Sequence, residues 1–199
     1  MANFITIFRV FLMFIGVYLI AACQDNSMAY IWALILTILA FSLDGLDGYI
    51  ARKFNEESKF GALLDIMSDR IVENTYWILF AYMGWIELWF PLVAITRGFI
   101  TDTIRSAAME KGLTPFGMQK NAICKWITGS KFMRITYAVA KVVAFVIIIA
   151  SKIPCIDEHT ANITFNAGYI LALIAIILCV VRGVPVLIEA KSVIEDKHA

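Results

Sequence analysis

The sequence predicts an all-α integral membrane protein with six transmembrane helices, and three observations carry that prediction. Of its 199 residues, 61% are hydrophobic and 17% charged, whereas a soluble domain holds roughly 45–50% apolar and about 25% charged residues. The mean hydropathy is +0.79. Apolar stretches of about 20 residues, enough to cross a bilayer as a helix, recur along the whole chain.

The elements follow in order. The first span, 4–23, starts almost at once and has no small-residue cleavage site, so it reads as a retained helix and not a removed signal. The polar turn Gln24-Asp25-Asn26-Ser27 leads to a second span, 28–54, which is longer than a bilayer needs. A second turn, Asn55-Glu56-Glu57-Ser58-Lys59, leads to the third span, 60–84. Residues 84–87 turn the chain into the fourth, 88–109. A loop over 110–131 precedes the fifth, 134–152. Another, 151–162, contains Pro154 and precedes the sixth, 163–189, again longer than a simple span. No internal repeat or low-complexity tract divides the chain, so residues 1–199 read as one domain.

Lysine and arginine set the orientation. Arg9, Arg52, Lys53, Lys59, Lys111, Lys120, Lys125, Lys131, Arg134, Lys191 and Lys197 fall at or near one side, while Lys152 stands alone on the other with Asp25, Glu87, Asp157 and Glu158. Both termini are therefore expected in the cytoplasm, together with the 110–131 loop and the turn between spans two and three. Trp85, Trp89 and Trp126 read as interfacial anchors. The formal net charge is +1, and no basic tract points to nucleic acid. Cys23, Cys124, Cys155 and Cys179 lack metal-ligand spacing and read as free thiols, although Cys23 and Cys155 share a side. The two histidines, His159 and His198, lie in an outer loop and beside the terminus, which leaves carboxylates to supply any general base.

The carboxylates are concentrated in Asp44-Gly45-Leu46-Asp47-Gly48-Tyr49-Ile50-Ala51-Arg52 and Gly61-Ala62-Leu63-Leu64-Asp65-Ile66-Met67-Ser68-Asp69. Charge is costly in hydrocarbon, so such residues face a cavity, an ion or a partner. Asp44 and Asp47 are three apart, and Asp65 and Asp69 four apart. Each pair shares a helix face. A short turn joins their helices as antiparallel neighbours, so the two acidic faces can meet near the cytoplasmic interface. Such an all-oxygen set suits hard cations such as Mg²⁺ or Mn²⁺. Gly45, Gly48 and Gly61 cost helix stability, about 1 kcal/mol each against Ala, and remove bulk where a ligand or a facing helix comes close. Arg52, one turn beyond Gly48, is placed to reach a phosphate. Two other readings stand beside this one. The acids can pair with Arg52, Arg70, Arg97 or Arg105 and simply hold helices together, or they can line a cation or proton pathway.

The stretch resembles the signature of the CDP-alcohol phosphotransferase family, D-x2-D-G-x2-A-R-x8-G-x3-D-x3-D. Asp44, Asp47, Gly48, Ala51, Arg52, Gly61, Asp65 and Asp69 match it at every fixed position and gap. Asn3, Thr6 and Arg9 are similar to the family's opening, Asn-x2-Thr-x2-Arg. The resemblance implies an enzyme of phospholipid biosynthesis with its active site between helices two and three. It would move a phosphatidyl group from CDP-diacylglycerol to a small polar alcohol, releasing CMP. It implies that Asp44, Asp47, Asp65 and Asp69 hold two divalent ions, that Asp69 is the general base, and that Gly48, Arg52 and Gly61 seat the CDP moiety. A bacterial inner-membrane homodimer is the family expectation. Arg105, Lys131 and Arg134, with Arg97 deeper, are candidates for an acceptor phosphate because guanidinium forks suit phosphate oxygens. They can equally anchor lipid headgroups. Glycerol 3-phosphate is the first acceptor expected and an inositol phosphate the second. Arg182, before Gly183 and Pro185, reads as a snorkelling or helix-bending position. Glu73 reads as support for the acidic cluster or as a partner of Arg97.

Overall fold

The fold is taken from a computed structural model that describes residues 2–53, 59–110 and 122–195. Within those ranges the side chains of 2, 46–53, 59, 62, 109, 110, 122, 123 and 189–195 lie outside the described part. Among the described residues every regular element is helical: α1 Ala2–Ala22, α2 Ser27–Lys53, α3 Lys59–Tyr82, α4 Trp89–Glu110, α5 Ala122–Gly129, α6 Lys131–Ser151 and α7 Glu158–Glu195.

Local chemistry explains most boundaries. The Asn26 side chain caps α2, its Oδ1 accepting the backbone N–H of Met28 at 3.0 Å and of Ala29 at 3.3 Å, which satisfies amides that a helix start leaves open. Ser130 Oγ accepts the N–H of Met133 at 3.1 Å at the head of α6, and Asp157 Oδ2 accepts that of Thr160 at 2.9 Å at the head of α7. Hydrogen bonding from Thr160 holds the exposed Asp157 carboxyl below its ordinary range. After α3, Gly84 takes φ +68°, a left-handed value that glycine adopts without strain, and its N–H returns to Ala81 O at 3.1 Å. Pro185 lies inside α7 and removes one backbone donor, yet the helix continues.

Among the described residues, four helical stretches are long and apolar enough to cross a membrane: Asn3–Ala22, Ser27–Gly45, Lys131–Ser151 and Glu158–Ile188. Two of the six expected spans are thus not of that plain kind. α3 has the length but carries Lys59, Asp65, Asp69, Arg70 and Glu73, and α4 carries Arg97, Asp102, Arg105 and Glu110. The expected 110–131 loop also contains a helix, α5, eight residues long. Its short run carries no span-length signal.

The α1 side chains show how these helices are dressed. Phe4, Ile7, Phe11, Phe14 and Tyr18 are exposed along one face, while Thr6, Arg9, Met13 and Ile20 are buried along the other. The outward face is the greasier one, and the inward face carries the polar groups. That suits a hydrocarbon solvent and not water.

The residues form two compact units. One comprises Met1–Leu88 and Val142–Ile170, the other Trp89–Lys141 and Leu171–Ala199. In the first, α1 packs on α2 and α3. Its core is aromatic: Tyr76, Trp77, Phe80 and Phe145 are fully buried. Phe145 meets Trp77 edge-on at 4.7 Å and Phe80 at 5.3 Å, the arrangement that ring quadrupoles prefer. Thr37 and Tyr76 share a 2.7 Å hydrogen bond between α2 and α3. At Gly168 a Cβ would come within 2.9 Å of Ile148 Cγ1 and 3.2 Å of Ile148 N, so only glycine lets α7 lie this close to α6. In the second unit, Ala108 and Val186 are buried with Ile104 packed against them. A cavity of about 320 Å³ there is lined by Leu92, Ile100, Val180 and Leu187, with Arg97 in its wall.

Candidate active site

Three of the four motif aspartates can be followed to their oxygens. Asp65 and Asp69 lie one turn apart on α3, and Asp44 projects from α2. One carboxylate oxygen from each lies within 4.8 Å of the others. The side chains of Asp44, Asp65 and Asp69 are 39%, 47% and 50% exposed, respectively, so the cluster is open on one side. The side chains of Asp47, Gly48 and Arg52 lie outside the described residues. Gly61 is half-buried on α3. At Gly45 an added Cβ would meet nothing within 4 Å, so no described helix needs that space and a ligand can approach the backbone there.

The cluster has a floor that sequence reasoning did not supply. Arg9, 1% exposed, rises from α1 beneath the three carboxylates. Its Nη1 donates to Asp44 Oδ1 and, at 2.9 Å, to Asp69 Oδ1. Its Nη2 reaches Asp65 Oδ1 at 3.1 Å and the Asp65 carbonyl at 3.4 Å. The expected pairing partners were Arg52, Arg70, Arg97 and Arg105. Of these, Arg70 lies 3.8 Å from Glu73, an (i, i+3) pair within α3. The signal for Arg9 was present in Asn3-x2-Thr6-x2-Arg9: Thr6 and Arg9 are one turn apart on the buried face of α1.

Donor chemistry identifies what fits here. Every side-chain donor in the cluster is a carboxylate oxygen, with no sulfur or imidazole, which favours a hard divalent cation. The place is also attractive to positive charge, since a guanidinium already contacts all three acids.

The second unit gathers arginines. Arg97 and Arg105 come from α4, Arg134 from α6 and Arg182 from α7. Arg182 is 8% exposed, with its guanidinium 5.4 Å from the centre of the Tyr137 ring. It is therefore buried and does not snorkel, because Tyr137 offers its charge a π-face within the unit. Arg97, Arg105 and Arg134 are all close enough to act on its charge. The Nε atoms of Arg97 and Arg182 are buried and make no hydrogen bond among the described residues. Gly183 makes room for the Arg97 stem: a Cβ there would fall 2.8 Å from Arg97 Cγ. Lys131 is exposed at the first position of α6. Fixed guanidinium forks match phosphate oxygens, so a group of arginines of this kind suits a phosphate.

Comparison with known proteins is consistent with this chemistry. A CDP-diacylglycerol–glycerol-3-phosphate 3-phosphatidyltransferase of Mycoplasma genitalium is 27% identical over 154 residues, 69% of this chain and 63% of that protein. The protein of the same name from Rickettsia felis is 30% identical over 144 residues, 68% of this chain and 78% of its own. A Mycobacterium tuberculosis protein named "Putative cardiolipin synthase" is 33% identical over 112 residues, 56% of this chain and 52% of that one. The chain thus spans less than two thirds of the Mycoplasma genitalium and mycobacterial relatives. The pattern of one family matches residues 1–190, nearly the whole sequence. By that match, and by the signature aspartates that bear its chemistry, the chain belongs to the CDP-alcohol phosphatidyltransferase family.

Proposed function

We propose that this protein transfers a phosphatidyl group from CDP-diacylglycerol to glycerol 3-phosphate and releases CMP. The observation that carries the reading is the convergence of Asp44, Asp65 and Asp69 within 4.8 Å of one another, in the frame of the family signature. Asp44, Asp47, Asp65 and Asp69 would hold two divalent ions, Mg²⁺ or Mn²⁺. Bound there, such ions would neutralise the diphosphate and stabilise charge on the departing CMP.

The protein's own groups do the rest. Asp69 keeps half of its side chain open and takes the proton of the acceptor hydroxyl. That oxygen forms its bond to the lipid-side phosphorus as the bond to the CMP oxygen breaks. A base within hydrogen-bond reach of the hydroxyl is sufficient for that role. Gly48, Arg52 and Gly61 seat the CDP moiety, and the open backbone at Gly45 leaves it room. Arg105, Lys131 and Arg134 bind the acceptor phosphate, and the buried Arg182 and Arg97 support extending that set. An arginine cluster of this size favours an acceptor with its own phosphate over serine or free inositol. We further propose one domain of six spans with both termini in the cytoplasm, in a bacterial inner membrane, as a homodimer. The apolar donor then arrives from the bilayer and the acceptor from water.

The test is CMP release by purified protein with CDP-diacylglycerol and Mg²⁺. The acceptors are glycerol 3-phosphate, inositol 3-phosphate, serine and phosphatidylglycerol, the last being the alcohol that a cardiolipin-forming transfer requires. Release with glycerol 3-phosphate that stops with EDTA is expected. Release only with another acceptor would replace the acceptor and keep the class. Cation flux without CMP release from any acceptor would replace the class with a transporter.

A further inference from the structure

The metal reading leaves one charge unexplained, and it is the most buried one in the cluster. Arg9 is 1% exposed, yet its guanidinium is spread across Asp44, Asp65 and Asp69. We propose that Arg9 is a built-in counter-cation that holds the cluster together when it is metal-free and gives up its carboxylate contacts when a divalent ion binds. The inference rests on the proposed metal site and adds to it a positioning residue from α1.

The contacts of Arg9 are what make an exchange the expected consequence of ion binding. Nη1 lies between the oxygens of Asp44 and Asp69, while Nη2 engages Asp65. The same three aspartates each offer one oxygen to the set that lies within 4.8 Å, so Arg9 already engages the carboxylates an ion would use. A Mg²⁺ ion sits about 2.0–2.1 Å from each ligand oxygen, closer than any guanidinium nitrogen approaches. A nitrogen and an ion cannot both stand between one pair of oxygens. An ion that takes the Oδ1 atoms of Asp44 and Asp69 would therefore move Nη1 away from them.

Electrostatics explains why such a group is useful. Three carboxylates this close repel one another strongly where water is scarce, and would splay α2 from α3 in the absence of a cation. One guanidinium offsets one of their three charges. That keeps the oxygens gathered yet leaves the place net negative and attractive to a dication. Arg9 can reach both helices because α1 packs on both. The arrangement makes two demands of opposite sign. Arg9 stabilises the metal-free protein, and it competes with the metal.

A merely structural arginine would make only the first demand. The test compares wild type with Arg9→Met, which keeps the stem and removes the charge. Mn²⁺ binding is followed by electron paramagnetic resonance and thermal unfolding is measured in detergent with EDTA or with saturating Mn²⁺. The expected result is a midpoint that falls in EDTA, a larger rise on adding Mn²⁺, and Mn²⁺ affinity at least about ten-fold tighter in the variant. A midpoint lowered equally in both conditions, or unchanged or weaker Mn²⁺ affinity, would overturn the exchange while leaving the metal site intact. Absence of Mn²⁺ binding in both proteins would overturn the metal site and the exchange with it. Should Arg9→Met not fold, the wild type answers directly. Modification of Arg9 by phenylglyoxal, read by peptide mass spectrometry, should rise when Mn²⁺ is added. Unchanged or reduced modification would overturn the proposal.

Discussion

Asp69 and Asp44 both accept from the same guanidinium nitrogen, but the side chain of Asp69 is the more open of the two, 50% against 39% exposed. That difference is why Asp69 is the better placed to meet a hydroxyl arriving from outside the cluster. Asp69→Asn preserves shape and one acceptor oxygen for Arg9 while removing the basic site. If Asp69 is the proposed base, CMP release should fall by about 10²–10⁴-fold, the usual contribution of a positioned base. Binding of CDP-diacylglycerol should be largely kept. Single-turnover CMP release beside equilibrium donor binding separates these effects, and full activity in Asp69→Asn would remove the assignment. The residue scale also shows what a one-dimensional reading can reach. Asp65 and Asp69 were legible because they are neighbours along one helix. The Arg9 contacts were not, because they join residues 35, 56 and 60 positions apart, and only the packing of α1 decides them. The same holds for Arg182: its setting depends on Tyr137, which comes from another helix.

At the scale of elements, the boundaries between α2 and its preceding turn and at the end of α3 were legible. The start of α2 follows Asn26, and the end of α3 falls where Gly84 turns the chain. α7 was expected from residue 163, but the Asp157 cap starts it at Glu158. The apolar run gives no hint of that earlier turn, because its residues are polar. What binds the helices of the first unit was less legible, since large apolar residues fall on inward and outward faces alike. Phe145 illustrates the point. Fully buried, it touches the rings of Phe41, Tyr76, Trp77 and Phe80. In a bilayer the alternative to this packing is lipid and not water, so the loss on truncation is mainly lost contacts and a cavity. Phe145→Ala should therefore cost near the lower end of the about 3–5 kcal/mol seen for buried aromatics in soluble cores. Ile78→Ala, on the exposed face of α3, should cost much less. Thermal unfolding in detergent compares the two, and equal losses would mean that this aromatic cluster is not the core of the unit.

At the scale of the whole molecule, six spans require α3 and α4 to cross the membrane as the four plainly apolar stretches can. Their charges keep them from resembling simple spans, but the geometry of the first unit supports a crossing by α3. α3 has 24 residues, about 36 Å at the usual rise. Its far end leads into Trp85, whose ring lies 5.9 Å from Lys152 Nζ, just past the end of α6. The same amine sits 4.0 Å from the centre of the Phe165 ring, and burial lowers its affinity for a proton. The turn after α3 thus lies beside the turn after α6. Chemical labelling of sealed spheroplasts with a membrane-impermeant maleimide decides between the topologies. Cys23→Ser gives a simplified background, in which Cys179 is buried and Cys155 exposed. Cys155 should label from outside in either topology, and Cys124 only after permeabilisation. Leu88→Cys, at a position 68% exposed, is the discriminating site. With six spans it labels from outside together with Cys155. If α3 and α4 stay on the cytoplasmic side, Cys155 labels and Leu88→Cys does not. Labelling of Cys124 in sealed spheroplasts would invert the orientation. It would then move the aspartate cluster to the opposite face from the one on which a water-soluble acceptor made in the cytoplasm can reach it.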